Sequence, residues 1–358
     1  MAHQGSSLFS SLGAALNAIS HPNFSIRSSS LPSTRDPILQ AFETDLASRL
    51  DHLKQTPDGA YLHLPWLHLA MEAILATNSA VEVLIPDLHF PLSDRDDKWV
   101  NDYLDDSAKL LDVCNVLKEG IADVEQYHMQ VQLALRSVDS RDIVSEAQCQ
   151  RARHALYECM EAMRRKDDQG QQRSKLESCS STLRRMGEKL TSPSPLITDR
   201  GKAFLSAIYG AKVTTIFICG MFALSLSFKP RRSLPSLHVP SHFLWSAPLL
   251  SLQQKVKEEM DRGKAKGWIA HLQELSSVDA SVRQLHEFLD NILVEKLIPL
   301  SKDHSDELRQ LVDSLRAQSE ELEKGLAPLE QQVNELFRML VTSRVALLDV
   351  LSHARKLS

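Results

Sequence analysis

Six carboxylates fall within thirteen residues, at Asp94, Asp96, Asp97, Asp102, Asp105 and Asp106. An all-helical enzyme that binds diphosphates through magnesium needs two such clusters facing each other, because Mg²⁺ is held by carboxylates together with substrate phosphates. The order here is Asp102-x-x-Asp105-Asp106, not DDxxD, and no second cluster follows. Acids after Ser93 also suit the first turns of a helix, where capping and the positive dipole end favour negative charge. His63 and His68 flank Pro65, which interrupts the helix that would align them for a metal, so both read as histidines of an amphipathic face. His128 lies in an apolar seam and reads as a hydrogen-bonded core histidine. The cysteines (Cys114, Cys149, Cys159, Cys179, Cys219) are odd in number, and no two lie within four residues. That excludes CxxC motifs and points to buried thiols in a reducing compartment. No G-x-x-x-x-G-K-[ST], G-x-G-x-x-G, H-E-x-x-H or G-x-S-x-G motif occurs. No catalytic, cofactor-binding or metal-binding residue is therefore assigned, and no cofactor is expected.

One short motif is more specific. Arg27-Ser28-Ser29-Ser30-Leu31-Pro32 reads R-S-x-S-x-P, and with Ser30 phosphorylated it resembles a 14-3-3 docking site. Such sites work because arginines of the reader bind the phosphate while the proline turns the chain out of the groove. Arg231-Arg232-Ser233-Leu234 is a looser, basophilic-kinase-like stretch. Residues 1–35 hold ten serines and no acid. They are too polar for a secretory signal and fit either a disordered tail or a plastid or mitochondrial transit peptide.

The elements that must position these residues are helices. Of 358 residues only 12 are Gly and 6% are aromatic, while Leu is about one residue in seven, which disfavours sandwiches, barrels and phosphate-cradling loops. Charge is nearly balanced, 41 basic against 46 acidic, so no whole-chain field points to nucleic acid. Asp36-Pro37 reads as N-cap and first turn of a helix through Ile38, Phe42, Leu46, Leu50 and Leu53. Pro65 opens a second helix, with Trp66, Leu69, Ile74 and Val81, that Pro86 closes. Leu117, Ile121, Val124, His128, Val131, Leu135 and Val138 alternate steps of four and three, a seam for packing on other helices. Leu176, Cys179, Leu183, Met186 and Leu190 repeat it. Near the C-terminus, Leu308, Leu311, Leu315 and Leu322 keep one heptad frame, and Leu326, Leu329, Val333, Leu336 and Leu340 keep another. The shift at Gly325 and Pro328 predicts two antiparallel helices joined there.

Val213–Phe228 is sixteen residues without a charge, about 24 Å of helix against a hydrocarbon core of about 30 Å. Extending it back to Ala203 includes Lys212, which a membrane span would have to snorkel. A helix buried at the centre of a bundle has the same composition. The expected fold is an all-α bundle of long antiparallel helices with one very apolar central or membrane-seated helix. Its expected divisions are a Ser-rich tail (1–35), an N-terminal helical region (36–190), a Ser/Pro linker (191–198), the apolar helix (199–229), a Pro-rich loop (230–248) and a C-terminal helical region (249–358). Two locations fit: cytoplasmic, or membrane-associated through 213–228, with the chloroplast open from the N-terminus.

The run Asp87-Leu-His-Phe-Pro91, Leu-Ser-Asp-Arg-Asp-Asp-Lys-Trp99 and Tyr103-Leu-Asp-Asp-Ser-Ala-Lys-Leu-Leu-Asp-Val-Cys-Asn115 resembles the hallmark block of the plant BYPASS family. Phe42-Glu-Thr-Asp-Leu-Ala-Ser48, Ala207-Ile-Tyr-Gly-Ala-Lys-Val213 and Leu340-Val-Thr-Ser-Arg344-Val-Ala-Leu-Leu348 match as well. The resemblance implies a non-enzymatic developmental regulator that restrains a root-derived mobile signal controlling shoot and root growth, acting through protein partners. Two alternatives stand beside it: a membrane-tethered, exocyst-linked trafficking adaptor, which needs 213–228 to insert, and a carrier or enzyme for an apolar metabolite held in the bundle. Within the block, Asp94, Asp97, Lys98, Trp99, Tyr103 and Asp105 form either a partner surface or the capped corner of the longest helix.

Overall fold

Asp36 begins the first helix as the sequence requires: its Oδ1 accepts from the backbone N–H of Ile38 at 2.8 Å and of Leu39 at 3.4 Å, with Pro37 in the first turn. The computed structural model describes residues 36–57, 59–85, 94–138, 144–168, 175–193, 200–228, 234, 236–266 and 272–357. The tail with Arg27, Ser30 and Pro32, most of the 191–198 linker and Arg231–Ser233 lie outside the described residues. The described helices are α1 (Pro37–Lys54), α2 (Leu64–Leu84), α3 (Asp94–Val138), α4 (Glu146–Asp168), α5 (Lys175–Glu188), α6 (Arg200–Ser225), α7 (Ser246–Ala265), α8 (Gln273–Val294) and α9 (Lys302–Leu357). α7 carries Pro248 in its first turn, where the missing N–H would be unpaired in any residue.

Two long helices organise the rest. α9 has 56 residues and α3 has 45, about 84 and 68 Å at 1.5 Å per residue. They run antiparallel: Gln132 Nε2 donates to Ser319 Oγ at 3.2 Å, and Arg344 reaches Ser107 at 2.9 Å, so numbers fall on one helix as they rise on the other. α4 packs on α3 and α8 packs on α9, and α4 and α8 pack on each other, closing a four-helix ring. An ion pair from Arg153 to Asp290 at 2.8 Å ties α4 to α8. Beyond the end of α8 its place on α9 is taken by α2, and α6 packs against α2, α3, α1 and α5. The α3 seam expected from sequence is buried at every position, Leu117 through Val138. In α2, Leu69 is the exception: it points outward, and Leu67, Ala70 and Met71 face the core.

The expected break at Gly325 and Pro328 is corrected by the structure, since α9 is one continuous helix with Pro328 inside it. The two leucine frames are one frame. Leu308, Leu315, Leu322, Leu329, Leu336 and Ser343 recur every seven residues, as do Val312, Ser319, Leu326, Val333, Leu340 and Leu347, and all are buried. Val312, not Leu311, holds the seam, and Ser319 fills the place where no leucine stands. Pro328 lies on the exposed side, where its lost hydrogen bond exposes a carbonyl to water and not to the core.

Candidate functional site

α6 is apolar because the bundle covers it. Among the described residues two helices, Leu64–Leu84 and Ala203–Ser225, are long and apolar enough to cross a membrane, but 94% of the most apolar window of the second is buried inside the protein. Its charge has a partner. Lys212 Nζ pairs with Asp106 Oδ2 of α3, and both side chains are mostly buried, at 10% and 16% exposure. Lys109 holds the other carboxylate oxygen at 2.7 Å. Burial pushes the Asp106 carboxyl up, but the hydrogen bonds and charges of Lys109 and Lys212 outweigh it and hold the group below its ordinary value.

One turn of α3, Leu104–Lys109, gathers three of the four segments that carry the family pattern. Asp106 receives Lys212 from the α6 segment, and the Leu104 carbonyl and Ser107 Oγ receive the Arg344 guanidinium from the α9 segment, the latter at 2.9 Å. Arg344 thus satisfies a buried hydroxyl, since Ser107 is 1% exposed. The fourth segment meets α6 two residues earlier, at Gly210. A Cβ on Gly210 would stand 3.2 Å from Phe42 and Leu46 and 3.4 Å from Trp245, so glycine permits this close approach. Beside it Tyr209, Phe243 and Trp245 stack with centroids 5.2–6.0 Å apart. Glu43, also from the fourth segment, accepts from the Leu244 N–H at 3.1 Å.

The chain belongs to the ROH1-like family. A sequence model of that family matches residues 15–192 and 171–351. UPF0496 protein 4 of rice is 35% identical over 250 residues, 70% of this chain, and this chain spans 53% of that protein's length. Protein BPS1, chloroplastic, of Arabidopsis is 29% identical over 327 residues, 91% of this chain and 87% of its own length, which bears out the BYPASS resemblance. Protein ROH1D of Arabidopsis is 22% identical over 351 residues, 87% of each chain. No solved structure matches.

In this ROH1-like chain the remaining sequence-derived candidates are placed as follows. Asp94 and Asp97 lie in the first turn of α3. Lys98 and Asp105 are exposed. Trp99 is half-buried, stacks on Tyr103 at 6.2 Å and donates its indole N–H to the Thr191 carbonyl at 3.3 Å. Burial pushes the Tyr103 hydroxyl up to about 12. His63 and His68 face different partners: His63 meets Glu274 and the Gly59 carbonyl, and His68 meets Gln332 and the Gly325 carbonyl, each within 3.2 Å. Among the described residues no group of three His, Cys, Asp or Glu is placed to hold a metal. All five cysteines are buried; desolvation pushes Cys114, Cys159 and Cys179 to about 12, so these thiols stay protonated and weakly nucleophilic. Arg344 was not singled out from sequence, because its partners are backbone and hydroxyl groups that leave no charge pattern. Lys212 did carry a signal: one ammonium in a long apolar helix requires a counter-ion.

Proposed function

We propose that this protein is a non-enzymatic regulator of plant development that acts through protein partners, and that it restrains production of a root-derived mobile signal. The observation that carries this reading is the use made of the family segments. Three of their charged groups, Asp106, Lys212 and Arg344, join helix to helix inside the molecule, which leaves partner recognition to outward-facing residues such as Lys98 and Asp105. BPS1-like identity over nearly the whole chain supports the developmental role. Reciprocal grafting tests it. A rootstock lacking this protein arrests a wild-type shoot, and a wild-type rootstock restores a mutant shoot. Normal growth of the wild-type shoot on the mutant root would overturn the reading.

The partner class includes a 14-3-3 protein docked on phosphorylated Ser30, between Arg27 and Pro32. A synthetic peptide of residues 24–35 phosphorylated at Ser30 binds a 14-3-3 protein in calorimetry, and the Ser30→Ala peptide does not. Equal binding by the two removes the docking site.

A further inference from the structure

The connection between α1 and α2 is held by two buried carboxylates from distant helices. Glu259 of α7, 2% exposed, accepts the Gly59 N–H at 3.0 Å and pairs with Arg262 at 2.9 Å. Glu274 of α8, 7% exposed, accepts the Leu64 N–H at 2.9 Å through Oε1, while its Oε2 is buried without a hydrogen-bond partner. Between these anchors the backbone takes positive φ at Gly59 (93°) and at Leu62 (64°), a conformation that the surroundings must impose on leucine. His63 sits in the middle. Its Nδ1 is 3.2 Å from Glu274 Oε1 and its Nε2 is 3.1 Å from the Gly59 carbonyl oxygen.

Both ring nitrogens therefore face acceptors. A neutral imidazole carries one N–H and would set a lone pair against one of those oxygens, whereas the imidazolium satisfies both. We propose that protonated His63 is a latch that fastens the α1–α2 connection to α7 and α8, and that loss of its proton releases this strap.

The surrounding charge favours the charged ring. From α8, Glu274 faces it with one oxygen otherwise unpaired, and the Gln273 Oε1 is likewise buried without a hydrogen-bond partner. From α7, Glu259 is matched by Arg262, and Lys255 lies over the Tyr61 ring at 5.9 Å. On α2 itself His68 is turned away to Gln332 and Gly325 of α9. The Glu274 hydrogen bond is the largest influence and raises the His63 pKa above the ordinary 6.5; burial opposes it, and the Glu274 charge, the Gly59 carbonyl and Gln273 reinforce it. The bound form is the protonated form. The latch's stabilisation is thus complete below 6.5 and is lost as pH rises through the raised value.

Histidine side-chain NMR on the full chain, with Cε1 labelled, reads the titration directly. His63 titrates above 6.5, and Glu274→Gln moves its midpoint downward. In the wild type, hydrogen-exchange protection of residues 59–64, corrected for intrinsic rates, falls several-fold through that midpoint while residues 308–322 of α9 keep theirs. A His63 midpoint at or below 6.5, or protection of 59–64 that stays constant through the titration, would overturn the latch. Because the second measurement uses the unmodified chain, poor folding of Glu274→Gln leaves the test intact.

Discussion

Asp106→Ala lowers the unfolding free energy by about 3 kcal/mol, because it leaves the Lys212 ammonium in the bundle without its carboxylate. The magnitude follows from burial: Lys212 is 10% exposed, so water does not readily replace the partner. Lys109 does not compensate, since it carries the same charge and sits half-exposed. The double variant Asp106→Ala with Lys212→Met removes both charges and keeps the methylene packing, and its stability lies within about 1 kcal/mol of wild type. Urea unfolding at neutral pH reads both, with the midpoint shifting while the slope is unchanged. A double variant as unstable as Asp106→Ala would mean that the carboxylate acts through something other than Lys212. The pH dependence has a definite sign. The Asp106 carboxyl is held below 3.8 in the folded chain, so its contribution is present above 3.8 and is lost as pH falls through the lowered value. The gap between wild type and Asp106→Ala therefore narrows only in strong acid.

The same pair explains what the sequence could and could not yield about α6. Length and composition place a helix there and make it apolar on every face, but a core helix and a spanning helix share that pattern. Lys212 is the discriminating residue, and its meaning depends on Asp106, a hundred residues earlier and hidden among five other carboxylates. Local pattern sees Asp106 as one more acid in a helical first stretch. Only the parallel course of α3 and α6, with Asp106 beside Lys212 and Gly120 beside Leu226, singles it out. Arg344 is harder still, because it pairs with a backbone carbonyl and a serine. The helices themselves were legible, since each seam repeats locally. What joins them was not, because those contacts lie 100 to 240 residues apart and involve single side chains.

At Gly325 a local pattern that favours a helix end is overridden by a contact between helices. Glycine three residues before a proline reads as a helix end, and the leucines on either side read as separate frames. Gly325 has another reason to be there. A Cβ at this position would stand 2.5 Å from Leu64 Cδ1, 2.9 Å from its Cβ and 3.1 Å from its Cγ. The Cβ of Leu64 moves only with its backbone, and that backbone is tied by its N–H to Glu274 at 2.9 Å. α9 cannot yield either, because the Gly325 carbonyl accepts from His68 one turn into α2 at 2.9 Å. Gly325→Val therefore destabilises by about 3 kcal/mol, as overpacking of a fixed contact. This outcome opposes the effect of removing glycine from a helix interior, which alone would stabilise by roughly half to one kcal/mol. Leu64→Ala costs about 2 to 3 kcal/mol in the native background, because Leu64 is 2% exposed. In the Gly325→Val background the same truncation relieves the clash and costs much less, so the two changes are coupled by more than about 1.5 kcal/mol. Strictly additive effects in chemical unfolding would show that Gly325 is a propensity defect and not a contact. The coupled result would mark Gly325 as the point on α9 where α8 gives way to α2, the junction on which the four-helix ring and the α6 core share one pair of helices.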